Sequence, residues 1–231
     1  FAADAKTALA SISDEASFKA NFPAVMKNCG GCHEVYRAEN GNVTMIYTGG
    51  PSGSFSPGVE DVNRHFVYVG LRFSGSALST PTTPTINGTS PTTIITAVGN
   101  GGGDGGMVGI YTIKIPTGTS NISFSQGGTA FTYAAIYRVT GCFSMTSALT
   151  ASSGGGTYNS SSHGCFFGAS VSNFALPGSY PSPNSSGLLV TFNAADGGRI
   201  AASNATTGPT QSVSLSGNQI NCGATFAYDL Y

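Results

Sequence analysis

Arg64-His65-Phe66-Val67-Tyr68-Val69-Gly70-Leu71-Arg72-Phe73 is the stretch that decides the fold class of this chain. Side chains along a strand alternate between its two faces, which puts Phe66 and Tyr68 on one side and Val67, Val69 and Leu71 on the other. Both sides are apolar, so a strand here is buried on both faces. The β-branched and aromatic content favours a pleated sheet.

Outward from this run the same signal recurs. Strands are predicted over 92–98, 107–115, 121–125, 131–139, 143–149, 187–192, 199–202, 211–215 and 224–230. Pro116-Thr117-Gly118 and Asp196-Gly197-Gly198 supply turns between them, the second joining two strands as a hairpin. Gly99-Asn100-Gly101-Gly102-Gly103-Asp104-Gly105-Gly106 lacks the lysine and hydroxyl of a phosphate loop and reads as a mobile hairpin tip. Many short strands about a dozen residues apart with no helix between them predict a mainly β fold, an antiparallel jelly-roll-like β-sandwich over residues 62–231. Its expected core is Val67, Val69, Leu71, Ile94, Ile110, Ile113, Ile136, Val139, Leu189 and Phe192. Residues 41–61, punctuated by Gly49-Gly50-Pro51 and Ser56-Pro57-Gly58, read as a linker.

Composition narrows the function. Of 231 residues only 8% are charged, against about 25% in an average soluble protein. Seven of the ten acids (Asp4, Asp14, Glu15, Glu34, Glu39, Glu60 and Asp61) precede residue 62, and from Phe73 onward the bases are Lys114, Arg138 and Arg199 alone. A surface of Ser, Thr, Gly and Asn suits an assembly or an extracellular setting better than a crowded cytoplasm. A net charge of −1 without a basic stripe argues against nucleic acid. No apolar run approaches 18 residues, so no membrane span is expected. The chain opens on Phe1, which suggests a removed or omitted leading segment.

The first 40 residues read differently. Phe18, Phe22, Val25, Cys29, Cys32 and Tyr36 recur at spacings of three and four, an apolar stripe along a helix. Ser13 followed by Asp14 and Glu15 marks its start, Pro23 kinks or divides it, and Gly41 stops it. On that helix Cys29-Gly30-Gly31-Cys32-His33 is the c-type haem attachment pattern: two thiols and an imidazole within one turn, the sulfurs for the vinyl groups and His33 for the iron. The same pair could instead form a disulfide, bind zinc with outside ligands, or stay unmodified. A lone helix cannot bury a haem, so residues outside the first 40 would have to close the pocket.

Two resemblances attach to these segments. The run from Phe18-Lys19-Ala20 through Cys29-Gly30-Gly31-Cys32-His33-Glu34-Val35-Tyr36-Arg37 resembles the last helix of cytochrome c′, over about residues 2–40. The resemblance implies haem c as cofactor, with Cys29 and Cys32 as thioether sites, His33 as proximal ligand, and Tyr36 and Arg37 near the haem. The remaining helices of that bundle are absent from this chain. The succession Arg64 to Gly70, Pro84-Thr85-Ile86-Asn87-Gly88-Thr89, Tyr111 to Gly118 and Ala135 to Gly141 resembles a β-sandwich domain of virion proteins of tailed phages and of gene transfer agents. That likeness implies a structural or receptor-facing role on a particle, commonly as a homotrimer beside other particle proteins, and no catalysis. The charge-poor, Ser/Thr-rich sandwich by itself suits subunit packing or contact with a carbohydrate receptor.

Catalytic groupings are sparse. Beyond Asp61 only Asp104, Asp196 and Asp229 carry acid, too far apart in sequence to pair as glycosidase carboxylates. His163 and Cys165 alternate on a strand without an orienting acid, and Cys142, Cys165 and Cys222 read as small buried residues or one disulfide with one thiol left over. Two functions therefore stand as expectations. One is a non-enzymatic component of a phage-like particle or surface assembly, virion-borne or extracellular. The other is a secreted, periplasmic c-type cytochrome whose β domain is an accessory.

Overall fold

The computed structural model describes residues 42–140, 144–151, 155–160, 164–172, 188–194, 198–205, 211–216 and 220–227, together with 6, 10 and 13–19. The chain divides into two compact units, one comprising Phe1–Asn40 with Leu230–Tyr231 and one comprising Gly41–Asp229. In the first, residues 15–19 form a helical turn. Its cap is Asp14 and not the expected Ser13: Asp14 Oδ1 accepts the Ser17 N–H at 2.7 Å, while Ser17 Oγ accepts the Asp14 N–H at 2.9 Å. A carboxylate at this position satisfies an orphan amide and also meets the positive end of the peptide dipoles. Hydrogen bonds from the Ser17 backbone and, secondarily, its side chain hold the Asp14 carboxyl below its ordinary pKa.

Every strand pairing described in the Gly41–Asp229 unit is antiparallel. Its first five-stranded sheet runs β1 (Asn42–Gly49), β8 (Tyr133–Thr140), β3 (His65–Ser74), β6 (Asp104–Lys114), β5 (Thr92–Gly101). A three-stranded sheet, β2 (Gly53–Phe55), β7 (Ile122–Ser125), β4 (Thr85–Ile86), covers one face of it. A second five-stranded sheet covers the other face, in the order β12 (Leu188–Ala194), β13 (Gly198–Ala205), β11 (Gly164–Val171), β15 (Ile220–Ala227), β9 (Ser144–Ala151). The pair β10 (Gly155–Ser160) and β14 (Gln211–Ser216) lies beyond it, with Tyr158 5.2 Å from Phe166 of β11.

β3 bears out the alternation read from its sequence. Phe66 and Tyr68 enter the core against the small sheet, with Phe55, Ile86, Ile122, Phe124 and Phe131. Val67, Val69 and Leu71 enter the core between the large sheets, with Phe167, Ala169, Ile200, Ala224 and Phe226. All five of these β3 side chains are at most 1% exposed. Gly70 continues the first face because Phe131 fills the place of its side chain: a Cβ there would lie 2.3 Å from the ring. Of the expected core residues, Val67, Val69, Leu71, Ile110 and Val139 belong to the core between the large sheets and Ile136 to the other. Ile94 and Ile113 are only half-buried. The side chains of Leu189 and Phe192 lie outside the described residues.

Three readings of the sequence change. Residues 42–49 and 53–55 of the expected linker are strands: Val43 is buried in the core, and β1 is hydrogen-bonded along β8 from Asn42↔Thr140 to Gly49↔Ala134. Gly49-Gly50-Pro51 marks the turn between β1 and β2, and Ser56-Pro57-Gly58 opens the loop that follows β2. The glycine run 99–106 is mostly paired strand, because Gly99↔Gly106, Asn100↔Gly105 and Gly101↔Asp104 continue the β5–β6 ladder. Its tip is only Gly102-Gly103, both at positive φ (65° and 93°), the backbone of a two-residue hairpin turn. Finally β11, the middle strand of its sheet, was not among the predicted strands. Gly164-Cys165-Phe166-Phe167-Gly168-Ala169-Ser170-Val171 is too rich in small residues to announce itself, yet small size is what a strand covered on both faces by aromatic neighbours accommodates.

Candidate functional site

Cys29, Cys32, His33, Tyr36 and Arg37 lie outside the described residues, as do His163 and Cys142. Cys165 and Cys222 are described, and both are fully buried. Burial pushes the Cys222 thiol up to about 12, which makes it a poor nucleophile. The two are therefore packing residues between the large sheets. Among the described residues no three His, Cys, Asp or Glu side chains gather as a metal site, and no helix is long and apolar enough to cross a membrane.

The most organised polar arrangement among the described residues centres on Arg64, which the sequence marked only as the head of a strand. Its side chain is fully buried. Nε donates to the Ile115 carbonyl at 2.8 Å, Nη1 to those of Gly58 and Val59 at 3.0 and 2.8 Å, and Nη2 to those of Thr117 and Gly118 at 3.0 and 2.7 Å. A guanidinium has five N–H groups, so each finds a carbonyl. Its carbon also sits 5.5 Å from the centroid of the Phe66 ring, within cation–π range. Burial lowers the arginine's pKa and Glu60 opposes that shift.

The carbonyls come from two loops, 56–63 between β2 and β3 and 115–121 between β6 and β7. Arg64 thus clamps them together. Further bonds tighten the clamp: the Asp61 N–H donates to the Pro116 carbonyl at 3.1 Å, the Gly118 N–H to Glu60 Oε1, and the Asn63 N–H to Asp61 Oδ1 at 2.7 Å. Gly58 suits its position because its φ of 71° lies in the left-handed region that favours glycine. His65 Nδ1 lies 2.8 Å from the Asn63 carbonyl; burial lowers the imidazole's pKa, and Lys114 adds to the effect.

Beside Ser56 and Glu60, the clamped loop shows two apolar side chains to solvent. Val59 and Val62 are 81% and 77% exposed, the two large hydrophobic side chains left open among the described residues of this unit. Single exposed valines are ordinary, but two on one rigid loop form a preorganised contact point. The sequence held a signal for this: Val59 and Val62 stand between breakers and acids in a stretch where an apolar residue has no strand to join.

No family model matches the chain, and no match was found among curated proteins or solved structures.

Proposed function

We propose that this protein is a non-enzymatic, structural or receptor-facing component of a phage-like particle or surface assembly, acting through its β unit. The observation that carries the reading is the Arg64 clamp, which spends a buried guanidinium on holding out a loop tipped by Val59 and Val62. Rigid presentation of an apolar point lowers the ordering cost of binding a protein surface. The charge-poor Ser/Thr coat supports the same reading, because neighbouring subunits can then pack without desolvating many ions. A homo-oligomer, with a trimer as the first candidate, and contacts to other particle proteins or a carbohydrate receptor follow from it.

Light scattering and electron microscopy of the purified protein test this. Oligomers or particles are expected, and Val59→Asp with Val62→Asp should weaken assembly by about tenfold or more, equivalent to 1.4 kcal/mol, without lowering the melting temperature. A wild-type protein that stays a dispersed monomer at all concentrations overturns it.

The motif Cys29-Gly30-Gly31-Cys32-His33 favours a second reading, a secreted or periplasmic c-type cytochrome. Covalent haem would supply electron transfer or gas binding. A Soret band that survives acid-acetone extraction would establish that reading; a colourless protein from a host that matures c-type cytochromes would remove it.

A further inference from the structure

The two large sheets repeat one plan. In residues 42–140 the strands run first, last, third, sixth and fifth across the sheet, as β1-β8-β3-β6-β5. In residues 144–227 the order read from the opposite edge is β9-β15-β11-β13-β12. Matching β9 to β1, β10 to β2, β11 to β3, β12 to β5, β13 to β6, β14 to β7 and β15 to β8 reproduces every antiparallel pairing of the first half except β4 with β7. β4 has no counterpart among the described residues.

The match extends below topology. In each half the two edge pairings carry a register shift and the two inner pairings carry none: Ile46 and Ile94 are the extra residues of β1 and β5, Thr146 and Leu189 those of β9 and β12. In each half an aromatic ring of the second strand meets one of the third, Phe55 with Phe66 at 5.0 Å and Tyr158 with Phe166 at 5.2 Å. No described sheet mixes strands of the two halves. Generic sandwiches share strand orders, but repeated edge bulges and a repeated aromatic pair on matched strands are independent of strand order.

We infer that residues 42–140 and 144–227 are two copies of one jelly-roll-like lobe, and that the apolar face each turns to the other is an interface between two self-contained folding units. The partner for the Val67, Val69, Leu71 and Ile110 face is a second lobe of the same plan, here supplied by the same chain. The inference holds whether or not the protein assembles into particles.

The test uses the full chain with a protease site in a Gly/Ser insert of about ten residues between Thr140 and Ser144, a length whose closure entropy is small. After folding and cutting, the halves should co-elute at the volume of the uncut protein and keep its circular dichroism. Parted in urea and returned to buffer, each half should recover a β spectrum by itself and then re-form the 1:1 pair on mixing. Hydrogen exchange on the parted halves gives a second readout, with protection expected at β3 and β11, the central strands. Halves that are unstructured when parted, or that never remain paired after cutting, overturn the inference.

Discussion

Arg64 shows how much a single side chain can organise. Its five donors meet five carbonyls from two loops, and no shorter or less branched cation reaches them all. Arg64→Lys should cost about 3 kcal/mol in urea unfolding, because a lysine has three donors and leaves buried carbonyls unpaired. His65 gives a pH dependence whose sign follows from its environment. Its folded-state pKa is lowered from 6.5, chiefly by burial, so below that value the unfolded chain takes up the proton more readily and folding stability falls. Above it both states are neutral and the contribution vanishes. Melting temperatures measured from pH 7.5 to 5 should therefore decline in the wild type and decline less in His65→Gln. From the sequence Arg64 and His65 were simply the start of a strand; nothing local tells that the arginine points into a gap between two distant loops.

At the scale of the element, the edge strands carry the lesson. β1, β5, β9 and β12 contain no Asp, Glu, Lys, Arg or Pro, the residues that commonly keep a sheet edge from pairing with another molecule. Each has a bulge instead, which twists the strand and interrupts its ladder. Deleting Ile94 should restore an unbroken β5 and raise aggregation at unchanged net charge, followed as turbidity or thioflavin fluorescence on incubation. A deletion that leaves the protein as dispersed as the wild type would show that bulging does not protect this edge. β3 was legible from its own ten residues because doubly apolar alternation has one structural meaning. β11 was not, because Gly, Ala, Ser and Cys carry little β preference and its burial depends on aromatic neighbours from other strands.

At the scale of the whole molecule, the two described cysteines lie out of reach of solvent. Cys165 and Cys222 sit between the large sheets, fully buried. A thiol held near 12 reacts only when the sheets part, so both should resist iodoacetamide in the native protein at pH 8 and label promptly in 6 M guanidinium, as read by peptide mass mapping. Labelling of either at native conditions, at a rate independent of denaturant, would mean that the sheets are not closed over them. By itself the sequence determined the class: charge-poor, mainly β and antiparallel, with β3 covered on both faces, because alternation and composition act residue by residue. The tertiary structure alone decided that residues 42–55 join the sheets, that Arg64 clamps a loop, and that the sandwich consists of two lobes on one plan. Those facts depend on which strands meet across more than fifty residues of chain, and pairing at that distance is selected by packing of whole faces, which no local pattern records.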